Sequence, residues 1–322
     1  MMTLADATLR AVTEEMRRDA SVWVLGEDVQ AGGIFGQYKG LFAEFGRKRV
    51  VNTPIAESTI MNAGLGAALV GTRPVIEMRI ADFAMSAMDE IVNQIAKIRY
   101  MSGGQARARV VVRMPHGLLR SYAAQHSQVF ENWFVNLPGV VVVTPATPAD
   151  AAGLLKTAIR SDDPVIFFDP KALFPVPGEV PDVIAPIPFG VASHLQQGTH
   201  VTLVTWSQAM PASLAAARDA QMRGITVDLF DLRTLWPWDQ DAIARSLGKT
   251  RRLLVVHEGV AVGGFGGEVV TRMIERVGLK ALVAVERLGS PRIPAPFAPN
   301  LEDCMRVGEG KIRDAIQRVC AA

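Results

Sequence analysis

Glu57 is the residue with the clearest chemical opportunity. It opens the stretch ESTIMNAGLGAALVG, in which Ser58 to Val70 holds almost nothing but small and apolar side chains, and Pro54 precedes it. An acid in a first helical turn is favoured by the helix dipole, and that alone would account for its presence. The other reading is chemical. A carboxylate held in an apolar cleft, at the end of a strand and beside a close-packed helix, is placed to exchange a proton with a bound heterocycle. Gly64, Ala67, Ala68 and Gly71 recur at spacings that let another backbone approach one face of that helix.

Imidazoles come next. The segment PHGLLRSYAAQHSQVFENWF carries His116 and His126 between the strand-like runs Arg109 to Met114 and Val140 to Thr144. Loop residues at the C-terminal edge of a parallel sheet lie where open α/β folds bind ligands. His126, flanked by Gln125 and Gln128, is the stronger candidate, and His116 reads as structural. Glu27 and Asp28 close the first apolar run ahead of the glycine-bearing AGGIFGQ, either lining the same sheet edge or forming a solvated turn. Phe83 follows a strand and either presents a ring face to a planar ligand or packs in the core.

Other residues read as structure. Met78, Met85 and Met88 are packing residues, and Trp236 and Trp238, which flank Pro237, read as domain packing. The run HEGVAVGGFGGEV sits where a phosphate loop would, between a strand and a helix. Its glycines match neither a Walker pattern nor the dinucleotide fingerprint, so they read as a tight turn. No zinc-like ligand spacing, GxSxG elbow or catalytic-cysteine signature is present, and no metal ligand is assigned to the chain.

These residues need a scaffold. Apolar runs (SVWVLGED, RPVIEMRI, ARVVVRMP, GVVVVTP, DPVIFFDP) alternate with helical patterns such as AMDEIVNQIAKIRYM, which argues for an α/β fold with mostly parallel sheets covered by helices. The proline-rich PVPGEVPDVIAPIPFG excludes helix and reads as a linker. It divides the chain into domains over 1–185 and 186–322. The second repeats the α/β pattern through HVTLVTW, a helix over Pro211 to Arg223, ITVDLFDL, RRLLVVHE and GGEVVTRMIERVG.

The 322 residues are 49% hydrophobic and 20% charged, enough for a sizeable core in each domain. The net charge of +2 comes from 34 basic and 32 acidic residues that are interspersed, so no footprint for nucleic acid or a membrane surface stands out. Cys304 and Cys320 alone fit reduced thiols, and the amphipathic N-terminus has no signal-peptide core. The expectation is a cytoplasmic protein.

Taken in order, LGEDV, GLFAEFG, RVVNTPIAES, ADFAMSAMDEIVNQIAKIRYMSGG, QHSQ, PGVVVVTPATPADAAGLLKTAIRSDDPVIFF, DLRTLWPWD and HEGVAVGGFGGE resemble the β subunit of the thiamine-diphosphate-dependent component of 2-oxo acid dehydrogenase complexes, over essentially the whole chain. The resemblance implies an N-terminal domain that binds the pyrimidine half of thiamine diphosphate and a transketolase-like C-terminal domain that supports dimer contacts. It further implies a partner α subunit that holds the diphosphate and magnesium through a GDG motif, which this sequence lacks. The assembly implied is an α2β2 heterotetramer around a β2 core, passing its acyl group to a lipoyl-bearing acyltransferase. Potassium in the loops after Met101 is a further possibility, as in some relatives.

At matching positions, Glu57 resembles the glutamate that shares its proton with a pyrimidine ring nitrogen, Phe83 the aromatic that packs on that ring, and Ile55 a cofactor-side aliphatic. His126 resembles a histidine for acyl transfer or substrate binding, and Glu27 an acid near the cofactor. Two positions depart from the pattern: Arg79 stands where relatives carry an uncharged residue beside the pyrimidine, and Asn52 replaces an aspartate. Arg79 has three options, to pair with Glu27, to pair with a substrate carboxylate, or to point away. The implied substrates are pyruvate, a branched-chain 2-oxo acid or acetoin. The rival readings are the C-terminal half of a split transketolase and a non-catalytic assembly subunit.

Overall fold

The computed structural model describes residues 1–322, which form two compact units. The first comprises Met1–His116 and Trp133–Phe189, and the second comprises Gly117–Asn132 and Gly190–Ala322.

In the first unit the helix α1 (Leu4–Arg18) leads into β1 (Val22–Gly26), β2 (Val50–Asn52), α2 (Glu57–Leu69), β3 (Arg73–Glu77), β4 (Val111–His116), β5 (Val141–Val143), α3 (Pro148–Arg160) and β6 (Val165–Pro170). These strands run parallel in the order β5-β6-β4-β3-β1-β2. Parallel strands covered on both faces need unbroken apolar runs, and Val22, Val24, Val75, Val111 and Val165 supply them. Against them α1 and α3 bury Ala7, Ala11, Val12, Met16, Ala152, Leu155 and Ile159. Both helices start at a threonine cap, Thr3 accepting from the Asp6 N–H and Thr147 from that of Asp150. β1 lies between β2 and β3, so the chain crosses over it and a crevice opens outside the carboxyl ends of these strands.

The expected helix over AMDEIVNQIAKIRYM is not one regular α-helix. It is a 3-10 stretch over Ala81–Ala87, a π-helical turn over Glu90–Ile95 and a short α-helix over Ile98–Met101. The Ala96 N–H reaches back to the Ile91 carbonyl at 3.0 Å, and this wider turn buries both Ile91 and Ile95.

In the second unit β7 (Ser193–Gln196), β8 (Val201–Thr205), α4 (Met210–Met222), β9 (Val227–Asp231), α5 (Gln240–Thr250), β10 (Arg252–Val260), α6 (Phe265–Val277), β11 (Ala284–Ser290) and α7 (Glu309–Ala321) form a sheet in the order β11-β10-β8-β9-β7. Only the edge strand β7 runs antiparallel. Its core sets Val201, Leu203, Leu229 and Leu254 against Ala216 and Ala220 of α4 and Ile312 and Ile316 of α7. No helix is long and apolar enough to cross a membrane.

Candidate functional site

The switch point of the first sheet gathers three of the expected residues. Glu27 directly follows β1, Glu57 opens α2 just past β2, and Arg79 lies beyond β3. Gly26 makes the first of these turns possible: its φ is +151°, and a Cβ there would stand 2.7 Å from the Glu77 Cβ and 2.8 Å from the Glu77 carbonyl oxygen.

Glu27 is buried at 9% exposure, and burial pushes its carboxyl up. Arg79 opposes that push, while the charges of Glu57 and Asp28 add to it. Arg79 makes its close ion pair with Asp28, a partner outside the three expected options, and stands 3.8 Å from Glu27. Asp28 itself is fixed through its backbone. It adopts the left-handed conformation at φ 55°, and its carbonyl accepts the N–H groups of Ala31 and Gly33 at 3.0 and 2.9 Å. Next to this turn Asn52 accepts the Gln30 N–H at 2.8 Å, which gives the unexpected asparagine a structural task.

Glu57 occupies the first position of α2, where helix-end N–H groups favour a carboxylate. Its surroundings correct the expectation of an apolar cleft. Within this chain Glu57 is only partly buried, and its neighbours include the acid Glu27. At Gly64 it is the Ile76 side chain, not a second backbone, that packs on α2, with its Cδ1 2.3 Å from where a Cβ would be. Ile55 is 80% exposed, and Phe83 is half-buried in the 3-10 stretch, its N–H bonded to the Ile80 carbonyl at 3.0 Å.

His126 lies in the Gly117–Asn132 excursion and so belongs to the second unit, half-buried with its ring edge-on to Tyr122 at 6.4 Å. His116 ends β4 fully buried beside the Phe168 ring, and burial lowers its imidazole to about 3, in keeping with a structural role. Met78 is core, whereas Trp236 corrects the packing assignment: it is 46% exposed, and only Trp238 is buried.

Behind the strand ends lies a polar network that motif reading passed over. Glu77 accepts from the Tyr38 hydroxyl at 2.6 Å and from the Gln37 amide at 2.9 Å. Burial raises its carboxyl to about 8. Arg113, over the Tyr38 ring, makes a two-point pair with Asp169 at 2.9 and 3.0 Å. Burial raises the Asp169 carboxyl and the guanidinium pulls it back. The available signal was a charged residue inside each of the runs RPVIEMRI, VVVRMP and VIFFDP, because such residues are buried only with partners.

The second unit holds a comparable group. Glu131, raised by burial to about 8, accepts from the Trp206 indole at 3.2 Å. Trp206 stacks on His257 at 5.2 Å, and burial lowers that imidazole to about 4. Cβ atoms at Gly264 or Gly266 would fall within 3 Å of the His257 ring, so the glycine run is a packing turn.

The transketolase pyrimidine binding domain family matches residues 1–177, and the transketolase C-terminal domain family matches residues 190–312. The 2-oxoisovalerate dehydrogenase subunit beta of Bacillus subtilis (strain 168) is 40% identical over 322 residues, covering 99% of this chain and 98% of that one. The pyruvate dehydrogenase E1 component subunit beta of Rickettsia felis is 40% identical over 320 residues, with the same coverage of 99% and 98%. The acetoin:2,6-dichlorophenolindophenol oxidoreductase subunit beta of Bacillus subtilis is 38% identical over 317 residues, 94% of this chain and 92% of that one. Among solved structures, a split gene transketolase described as an inactive beta4 tetramer superposes with a TM-score of 0.83 at 22% identity, covering 99% and 98% of the two chains, which shows a shared fold. The chain belongs to the family of β subunits of pyruvate, branched-chain 2-oxo acid and acetoin dehydrogenases, built from a transketolase-type pyrimidine-binding domain and a transketolase C-terminal domain.

Proposed function

We propose that this chain is the β subunit of a thiamine-diphosphate-dependent dehydrogenase that oxidatively decarboxylates a 2-oxo acid, or cleaves acetoin, and delivers the acyl group to a lipoyl arm. The observation that carries this reading is the convergence of Glu27, Glu57 and Arg79 outside the switch point, in the domain matched by the pyrimidine-binding family. Its 38–40% identity to dehydrogenase β subunits, against 22% to the split transketolase, favours the dehydrogenase over the transketolase reading.

When bound, thiamine diphosphate supplies a carbon nucleophile and an electron sink for decarboxylation. The chain's contribution is to orient the ring and govern its proton. Phe83 and Ile55 hold the pyrimidine by its faces. Glu57, at the helix N-terminus, shares a proton with a ring nitrogen at the edge, and Glu27 sets the charge beside it. His126, from the excursion loop, serves acyl transfer or substrate binding. No group of three or more His, Cys, Asp or Glu side chains is placed to hold a metal ion. Because the sequence lacks the GDG motif, magnesium and the diphosphate are assigned to an α subunit, in an α2β2 assembly around a β2 core, with a lipoyl-bearing acyltransferase as acceptor partner. Potassium belongs to the same proposal, in the loops after Met101.

The test is reconstitution with the α subunit. Lipoamide-dependent decarboxylation should appear on mixing and vanish in Glu57→Gln with assembly intact. Ketol transfer to an aldose would favour the split transketolase, and inactivity with every α subunit would favour a scaffold.

A further inference from the structure

Arg79 presents a problem that the proposed mechanism must solve. The mechanism asks Glu57 to share a proton, and a guanidinium beside it would hold that carboxylate ionised instead. The cation is nonetheless close by, because it lies 3.8 Å from Glu27, whose carboxyl feels the Glu57 charge. The structure shows where its charge goes. Arg79 makes its close pair with Asp28, whose side chain is 58% exposed against 9% for that of Glu27.

We infer that Asp28 is a positioning residue that anchors Arg79 on Glu27 and away from Glu57, so that a cation is tolerated in a site whose acid must remain protonatable. The anchor is stiff. The Asp28 carbonyl caps two loop N–H groups, and the adjacent Gln30 is tied to Asn52 and to the Val50 carbonyl. Arg79 is held from its own side as well, between Met78 and Ile80, both buried. The charged groups facing Glu27 are Arg79, Glu57 and Asp28, one cation and two other acids. Without Asp28 the freed guanidinium turns to the remaining pair, Glu27 and Glu57.

This inference rests on the proposed role of Glu57 for its effect on turnover, but its electrostatic half can be tested on the isolated chain. Asp28→Asn keeps a residue that tolerates the left-handed backbone, so folding is not at issue. In carboxyl-labelled NMR titrations of the β chain, Asp28→Asn should lower the Glu27 titration midpoint by more than it does in an Arg79→Gln background, where only the loss of the Asp28 charge acts. Arg79→Gln and the double variant should raise it above wild type. In the reconstituted enzyme Asp28→Asn should cut kcat about tenfold or more, equivalent to about 1.4 kcal/mol, and adding Arg79→Gln should restore most of that loss. An equal lowering of the Glu27 midpoint by Asp28→Asn with and without Arg79, or a kcat loss that Arg79→Gln does not relieve, overturns the inference. If instead Glu57→Gln stays active, the proton role of Glu57 fails while the Glu27 titration still judges the anchor.

Discussion

Arg113 and Asp169 face each other across adjacent parallel strands, joined at two points by bonds of 2.9 and 3.0 Å with no more than 1% of either side chain reached by solvent. A pair this deep contributes less by forming than its loss would cost, because either partner left alone is an uncompensated buried charge.

Removing one member should therefore be severe. Asp169→Asn keeps the shape but strands the guanidinium, and a loss of roughly 3–5 kcal/mol in unfolding free energy is expected. Urea denaturation of the isolated chain measures it. A loss below about 1 kcal/mol, the range of surface pairs, would mean that the site is wetter than its burial indicates.

Glu77 should make stability fall with rising pH. Its folded carboxyl is raised from 4.5 to about 8, so the folded state holds a proton that the unfolded chain has released. That contribution is complete below about 4.5 and fades as pH climbs through about 8. Glu131 acts in the same direction from the second unit. Glu77→Gln removes one titrating group while keeping an acceptor for Tyr38. Its curve of unfolding free energy against pH should be flatter than wild type by up to about 1.4 kcal/mol per pH unit over that window. Parallel curves would show that Glu77 is ionised in the folded protein.

Gly26 is the hinge of the site. Gly26→Ala sets a Cβ against the Glu77 backbone at a φ of +151°, and neither neighbour can yield like the end of a flexible side chain. A stability loss of about 1–3 kcal/mol is expected. Displacement of Glu27 should lower turnover of the assembled enzyme beyond what the melting temperature explains. Gly64→Ala is the contrast: it has no positive φ to violate and meets the Ile76 side chain at 2.3 and 2.9 Å rather than a backbone, in a helix that prefers alanine.

Much of this architecture is legible in the sequence because apolar runs of strand length mark a doubly covered sheet wherever they occur. Val22 to Gly26 and Val165 to Pro170 could be placed from their composition alone. The helix-start position of Glu57 could be placed too, since an acid ahead of a small-residue run is favoured in a first helical turn. Where the guanidinium of Arg79 would turn was not legible, because that depends on the left-handed turn at Asp28, which nothing in the local residue types demands. The π-helical turn at Glu90–Ile95 was hidden for a related reason: its apolar spacing resembles that of an α-helix. Burial of Glu77, Arg113 and Asp169 is a collective property, in which each acid or base is tolerable only because the others are present.

The Gly117–Asn132 excursion bears on any attempt to take this chain apart. The polypeptide passes between its units at Gly117, at Trp133 and again at Gly190, so the gene has no single seam. A shuffled hybrid joined in the proline-rich stretch would inherit its acid from one parent together with that parent's His126, while the rest of the histidine's own folding unit came from the other. Chimeras meant to transplant substrate preference from a relative would therefore have to carry that internal segment as a separate cassette.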